Sequence, residues 1–231
     1  MPNDYFRFRR FLVRQSACAM KVGTDGTLLG AWANGGSSIL DIGTGTGLIA
    51  LMMAQRFPSA QVTAIDIDPA ASKQAEENVA ASPFSSRIRV VEGDINNTLF
   101  TCSFDAIVSN PPYFNHSLAC PDSQRTVARH SISLSYDGLL AVARRLLDDE
   151  GELSVVIPFD CKSSFENEAA LAGFFKSREC AVKTTPRKSP RRFLMAFRKH
   201  PVRLETTEGI IEDAPNVRSA WYRQLTQDFY L

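Results

Sequence analysis

The 231 residues contain no uninterrupted apolar run of the roughly 18 residues that a membrane-spanning helix requires. The opening Met1-Pro2-Asn3-Asp4 lacks the charged-then-apolar layout of a secretory signal, so a cytoplasmic protein without a membrane partner is expected. The five cysteines (Cys18, Cys102, Cys120, Cys161 and Cys180) are odd in number and scattered, with no Cys-x-x-Cys and no histidine at ligand spacing. They read as reduced thiols, and neither a metal site nor a disulfide framework is expected. His116, His130 and His200 share no ligand spacing either and are expected to be structural or phosphate-facing. No G-x-x-x-x-G-K-[ST] loop occurs, which leaves nucleoside triphosphate hydrolysis without support. Repeats and low-complexity linkers are absent too. One continuous domain over 1–231 is expected, with an extension over 1–37 and a core over 38–231.

What is present fits a globular α/β chain. Hydrophobic residues make up 44% and charged residues 22%, near the average for folded soluble domains. Short β-branched runs alternate with helical patterns. Ser38–Ile42 reads as a strand, Leu48–Arg56 as a helix, Gln61–Ile67 as a strand and Pro69–Ala81 as a helix with proline in its first turn. Arg87–Glu92 and the largely apolar Phe104–Ser109, expected to be fully buried, follow as strands. A helix over Leu139–Leu147, a strand over Glu152–Ile157, a helix over Ser164–Phe175 and a last strand over Phe193–Arg198 complete the reading. This alternation predicts a mostly parallel sheet with helices on both faces.

Two loops carry chemistry. The first is Asp41-Ile42-Gly43-Thr44-Gly45-Thr46-Gly47, a strand-to-helix turn whose glycines let backbone approach a ligand closely. Nicotinamide and flavin enzymes use a related G-x-G-x-x-G, but the spacing here is G-x-G-x-G. The acids downstream narrow the choice toward an adenosine-containing cofactor. Asp66 ends the second strand, about 20 residues past the loop, where a carboxylate accepts from ribose hydroxyls. Asp94 follows the third strand and can receive an adenine amino group, with Ile67 and Ile95 on either side of the ring. The competing reading makes Asp94 a turn cap and Asp66 or Asp68 a helix start.

The second loop, Asn110-Pro111-Pro112-Tyr113, follows the buried fourth strand. Its prolines fix φ and remove backbone donors, leaving the Asn110 side-chain oxygen and the Pro111 carbonyl as acceptors at a strand's carboxyl end. Such a pair can grip both hydrogens of a planar amine and offset charge developing on its nitrogen. Tyr113, with Phe114 beside it, is suited to stack on a base flipped out of its loop. Asn-Pro-Pro also serves as an ordinary strand-ending turn.

The net charge of +1 conceals an asymmetry. Residues 1–23 carry +4, residues 24–123 carry −6, and residues 176–203 hold ten Lys and Arg against one acid. Two basic blocks around an acidic middle suit a polyanion such as RNA, with Arg187, Lys188, Arg191 and Arg192 as the expected contacts; a pair of solvated loops is the alternative.

This series of an aspartate-glycine loop, an acid after the second strand, Gly-Asp after the third and Asn-Pro-Pro-Tyr after the fourth resembles class I methyltransferases acting on amino nitrogens. Within that class, Cys18-Ala19-Met20-Lys21-Val22-Gly23-Thr24-Asp25-Gly26-Thr27-Leu28-Leu29-Gly30-Ala31-Trp32 and Leu225-Thr226-Gln227-Asp228-Phe229-Tyr230-Leu231 resemble the two ends of the tRNA1(Val) adenine-37 N6-methyltransferase family. The resemblance implies a Rossmann-like, seven-stranded sheet with the last strand antiparallel. It implies S-adenosylmethionine as cofactor with no metal, a tRNA substrate and no obligate protein partner. By it, Lys21, Thr24 and Asp25 close over the cofactor, Asp41, Gly43, Thr44, Gly45 and Gly47 line it, and Asp66, Ile67, Asp94 and Ile95 surround its adenosine. Asn110 to Tyr113 hold the target base, with Asn110 also beside the cofactor. Protein glutamine amides and guanine N2 of ribosomal RNA are the alternative methyl acceptors. The first family usually carries a helical N-terminal domain, and the second is commonly longer. A non-catalytic RNA-binding module and a nicotinamide enzyme are more distant readings.

Overall fold

A hairpin of β1 (Tyr5–Arg7) and β2 (Leu12–Arg14) leads into α1 (Thr24–Trp32) in the computed structural model, which describes residues 4–16, 21–112 and 134–230. Then come β3 (Ser38–Ile42), α2 (Leu48–Arg56), β4 (Gln61–Asp66), α3 (Pro69–Ala80), β5 (Ile88–Glu92) and β6 (Phe104–Ser109). The chain continues through α4 (Tyr136–Leu146), β7 (Leu147–Pro158), α5 (Lys162–Leu171), β8 (Phe175–Lys183) and β9 (Arg192–Arg198). It closes with β10 (Glu205–Ile210), a short β11 (Glu212–Ala214) paired with β12 (Val217–Arg218), and α6 (Ala220–Thr226).

Eight strands form the main sheet in the order β10-β8-β9-β7-β6-β3-β4-β5. All run parallel except β9, which is antiparallel to both β7 and β8. The six strands read from the sequence are there; β8 makes the seven that the resemblance implies, with the seventh, β9, antiparallel, and β10 adds an eighth on the outer edge beside β8. Side chains alternate between two buried layers. Ile39, Ala106, Val108 and Val156 face a core completed by α1, α2 and the hairpin, while Leu40, Ile42, Ile107, Leu153 and Val155 face one completed by α4 and α5. Strands buried on both faces explain why β3 and β6 read as continuous apolar runs.

Helix α1 belongs to this core, and its glycines set how close it lies. A Cβ on Gly26 would stand 3.2 Å from Leu48 Cδ2, and one on Gly30 would stand 2.8 Å from Met52 Sδ, so the glycine face of α1 is pressed onto α2. Among the described residues no helix is long and apolar enough to cross a membrane.

Several boundaries differ from expectation, and β7 begins at Leu147, five residues before the expected Glu152. Helix α4 begins at Tyr136, three residues early, because Ser135 Oγ accepts from Gly138 N at 3.4 Å and caps it. Helix α5 stops at Leu171, and Gly173 at φ +77° turns the chain out of it. Phe175–Lys183, expected as helix end and basic segment, is the strand β8. Its charges hid it, and partners accommodate them: Lys176 pairs with Glu166 (2.6 Å) and Glu179, and Arg178 with Glu152 at 2.6 Å.

Candidate active site

The parallel register brings the expected site residues to one edge. Ile42 lies opposite both Ile65 and Ser109, and Asp66 lies opposite Glu92. Hence Gly43, Ile67, Gly93 and Asn110 all leave the sheet at its carboxyl edge, around the point where the chain's strand order reverses beside β3. Open α/β sheets bind ligands at that crevice. Ser109, which the sequence reading passed over, fixes the spacing. Its buried Oγ donates to the Ile42 carbonyl at 2.9 Å, so the Asn110 loop and the glycine loop start from strand ends tied together.

Gly43, Gly45 and Gly47 have φ of +72°, +57° and +80°, the left-handed region that side-chain-bearing residues avoid. A Cβ on Gly43 or Gly45 would meet nothing within 4 Å, so both face open space, whereas one on Gly47 would stand 3.4 Å from Ala75 Cβ of α3. Gly43 N and Thr44 N donate to the Ile65 carbonyl at 2.9 and 3.1 Å, and Gly45 N donates to Asp66 Oδ2 at 2.8 Å. Asp66 Oδ1 accepts from Asp68 N at 3.0 Å. Its carboxylate thus stands between the glycine loop and the turn after β4, with two of roughly four lone-pair sites used. Ile67 is 42% exposed beside it, an apolar surface ready for a ring.

Asp41 works from behind the loop. It is fully buried; Oδ2 accepts from Thr44 Oγ1 at 2.6 Å and from Ala50 N at 3.1 Å, while Oδ1 has no hydrogen-bond partner. Burial pushes its carboxyl up to about 7 against the lowering effect of those bonds, and nearby Asp66 adds to the rise. Asp41 is therefore a positioning residue that sets Thr44 and the start of α2. A second such residue, Asn78 of α3, is 1% exposed. Its Nδ2 donates to the Thr46 and Arg14 carbonyls, both at 2.8 Å, and its Oδ1 accepts from Arg14 N at 2.8 Å, joining the hairpin to the glycine loop. A lone Asn on an Ala/Glu-rich helix is its only signal in the sequence.

Asp94 presently caps its own turn. Oδ1 accepts from Asn96 N and Nδ2, both at 2.9 Å, and Oδ2 from Asn97 Nδ2 at 3.0 Å. Ile95, expected against a ring, is 5% exposed and fills the core with Ile42 and Ile65, because the turn directs it inward; Ile67 alone of the two isoleucines is open. Asn110 is half-buried, Pro111 buried and Pro112 exposed. Tyr113, together with Phe114, His116 and His130, lies outside the described residues, as do Cys18, Ala19, Met20 and Leu231.

The N-terminal candidates reach the same edge. Thr24 opens α1, and Asp25 forms an ion pair with Arg192 Nη1 at 2.8 Å, while Lys21 is exposed. Arg192, expected on RNA, is paired with Asp25, since β9 starts beside the first turn of α1. Arg187, Lys188 and Arg191 are exposed on the 184–191 loop between β8 and β9, and their side chains form no ion pair among the described residues. The basic block is also not one patch. Strand β9 carries Arg198, Lys199 and His200 to the opposite edge, where Lys199 pairs with Asp149 at 3.3 Å and His200 Nε2 lies 3.3 Å from Glu150.

Comparison with known proteins fits this geometry. The methyltransferase small-domain family matches residues 25–186. A tRNA1(Val) (adenine(37)-N6)-methyltransferase of Phocaeicola vulgatus is 49% identical, covering 100% of this chain and 99% of the relative. Relatives of the same name from Bacteroides thetaiotaomicron and Histophilus somni 129Pt are 47% and 41% identical, covering 100% and 98% of this chain and 99% and 97% of their own lengths. Among solved structures, the predicted O-methyltransferase Atu636 of Agrobacterium tumefaciens superposes with a TM-score of 0.69 at 19% identity, covering 89% of this chain and 96% of that one. The glycopeptide N-methyltransferase MtfA, complexed with S-adenosylmethionine, superposes at 0.57 with 13% identity, over 78% of this chain and 100% of its own. At those identities the likeness speaks for a class I methyltransferase fold.

Proposed function

The chain belongs to the tRNA1(Val) (adenine(37)-N6)-methyltransferase family, within the methyltransferase small-domain family, and from that premise we propose that it methylates N6 of adenine 37 in the anticodon loop of valine tRNA, using S-adenosylmethionine, in the cytoplasm. The observation that carries the reading is the pairing of two loops on adjacent strand ends: open, left-handed glycines on one and Asn110-Pro111-Pro112 on the other, joined through Ser109 and Ile42.

The residues fit the cofactor. Space over Gly43 and Gly45 that a Cβ would enter accepts its backbone-hugging portion, Asp66 has lone pairs left for ribose hydroxyls, and exposed Ile67 offers a face to adenine. Asp94 would receive the adenine amino group, while Ile95 backs its turn from the core. Lys21, Thr24 and Asp25 would cover the site from the N-terminal segment, and Asp41, Thr44 and Gly47 hold the loop in shape. When bound, S-adenosylmethionine supplies a methyl group already activated on a sulfonium.

The chain's own task is then to prepare a poor nucleophile. The lone pair of an exocyclic amine is delocalised into its ring. The Asn110 side-chain oxygen and the Pro111 carbonyl accept its two N–H bonds, favour a pyramidal nitrogen, and offset the positive charge that develops there. The rest is alignment, which the strand-end connection through Ser109 provides. Tyr113 supplies the face on which the extruded base rests. Arg187, Lys188 and Arg191 hold phosphates of the same RNA at the same sheet edge.

Tritiated methyl transfer to unmodified valine tRNA, in competition with other tRNAs, ribosomal RNA and a peptide release factor, tests this. N6-methyladenosine confined to position 37 of the valine tRNA is expected. Label on a glutamine amide of the release factor, or on guanine N2 of ribosomal RNA, would overturn it.

A further inference from the structure

A cavity of about 730 Å³ lies between the N-terminal hairpin, the start of α1 and the C-terminal helix α6. None of the glycine loop, Asp66, Asp94 or Asn110 lines it. Its wall carries three arginines, Arg9, Arg218 and Arg223, and three aromatic rings, Phe6, Tyr222 and Tyr230, with no Asp or Glu among the lining residues. The family-like C-terminal stretch, unexplained by the catalytic reading, forms part of this wall through Thr226, Gln227 and Tyr230.

Each guanidinium is held by one neighbour and keeps donors to spare. Arg9 Nε donates to the Tyr230 carbonyl, Arg223 Nη1 to the Arg218 carbonyl at 2.8 Å, and Arg218 Nη1 pairs with Glu212 at 3.1 Å while its guanidinium lies 4.9 Å over the Tyr222 ring. A guanidinium has five N–H donors, so forks anchored in this way are pre-set for oxyanions. The rings are fixed as well: Tyr222 and Tyr230 share a 3.0 Å bond between their hydroxyls, and Phe6 packs edge-on to Tyr230 with centroids 5.9 Å apart. The cavity reaches Gly23 and Thr24, and the next residue, Asp25, is clamped to Arg192 on the carboxyl edge of the sheet. Its lining therefore extends to residues beside the edge where the methyl acceptor is proposed to sit.

We propose that this cavity is a second RNA site, which takes a nucleotide of the tRNA other than the one methylated: phosphate on the arginines, base or ribose against the aromatic wall. The proposal rests on the tRNA-methyltransferase reading and adds where a second part of that RNA is held. A volume of this size lies within the range of small-ligand pockets, and Arg9 and Arg223, neither in an ion pair among the described residues, select an anion. A rigid wall of half-buried Phe6 and Tyr230, backed by buried Tyr222, selects one that carries a ring or sugar.

The test compares the parent with an Arg9→Gln/Arg223→Gln double variant, leaving Arg218 with Glu212. Valine tRNA binding is measured against salt concentration, alongside S-adenosylhomocysteine binding. Expected is a roughly tenfold weaker tRNA Kd near 0.1 M salt and a salt slope shallower by about 1 to 2, with S-adenosylhomocysteine affinity and kcat at saturating tRNA within about twofold of the parent. An Arg9→Lys/Arg223→Lys variant recovers most of the slope. An unchanged Kd and slope in the Gln variant overturns the site while leaving the enzyme's assignment standing; a parent that neither binds nor methylates tRNA overturns both. Cross-linking of 4-thiouridine-bearing tRNA to the unmutated protein is independent of any folding defect. Adducts on peptides containing Phe6, Tyr222 or Tyr230 support the site, and adducts confined to the 184–191 loop overturn it.

Discussion

The two edges of the main sheet use the same chemical groups to opposite ends. At the carboxyl edge, Gly43 and Gly45 face open space and the cations of the 184–191 loop are exposed without partners among the described residues. At the other edge the groups close on one another. Asp105 Oδ2 accepts from Ser37 N and Ser38 N at 2.6 and 3.0 Å, Ser103 Oγ donates to Asp148 at 3.0 Å, and Lys199 pairs with Asp149. Loops of similar composition therefore differ in purpose by which end of the strands they join. An edge with its donors and acceptors already matched seals the core, while one with spare capacity binds ligands.

The sharpest way to break this contrast is Asn110→Ala. Removing an acceptor that acts on developing charge is expected to lower kcat by about 10² to 10³, with S-adenosylhomocysteine affinity by calorimetry within about twofold. Turnover equal to the parent's would remove Asn110 from the chemistry. Next in size is a charge comparison between the edges. Neutralising Arg187, Lys188 and Arg191 together is expected to raise the Kd for tRNA at least tenfold and to flatten its salt slope, whereas Lys199→Gln leaves both unchanged. If Lys199→Gln weakened RNA as much, the far edge would belong to the RNA footprint.

Glycines sharpen the contrast further. Gly45→Ala puts a methyl group into open space at φ +57°, so stability should fall by about 1 to 2 kcal/mol from backbone strain while cofactor affinity falls about tenfold. Gly36→Ala is the counterpart on the far edge, where a Cβ would stand 2.3 Å from Asp105 Cβ. There the loss should be in stability alone, roughly 1 to 3 kcal/mol in chemical denaturation, with cofactor binding intact. Equal loss of cofactor affinity in both variants would show that the two edges are not independent.

Much of this was legible in the residues, for a physical reason. Strands β3, β4 and β6 are buried and uninterrupted, and the loops that follow them are short, so the position of Gly43, Asp66 and Asn110 depends on nearby sequence only. The parts that escaped depend on distant partners. Strand β8 carries Lys176, Arg178 and Glu179 and reads as a charged segment until Glu152 and Glu166 are seen beside it. The division of the basic block between two edges follows from the antiparallel run of β9, which no local pattern announces. Ser109 and Asn78 are single polar residues whose bonds cross to Ile42, Arg14 and Thr46. Ile95 follows Asp94 as Ile67 follows Asp66, yet its turn buries it.

Two aspartates extend the edge comparison to pH. Asp105 accepts two backbone N–H groups at the far edge, while Asp41 is buried behind the glycine loop with one oxygen unpartnered. Desolvation is the largest cause lifting Asp41 from 3.8 to about 7. Between those values the folded protein holds a proton that the unfolded chain has released, so this group's contribution to stability is full below pH 3.8 and is lost as pH rises through about 7. Asp41→Asn keeps the shape and removes the proton. The difference in melting temperature, parent minus variant, should therefore shrink between pH 4 and 7 by something on the order of 5 °C and level off above. Parallel curves across that window would mean that Asp41 stays ionised in the folded protein, with water or a counter-charge reaching the oxygen that now lacks a partner.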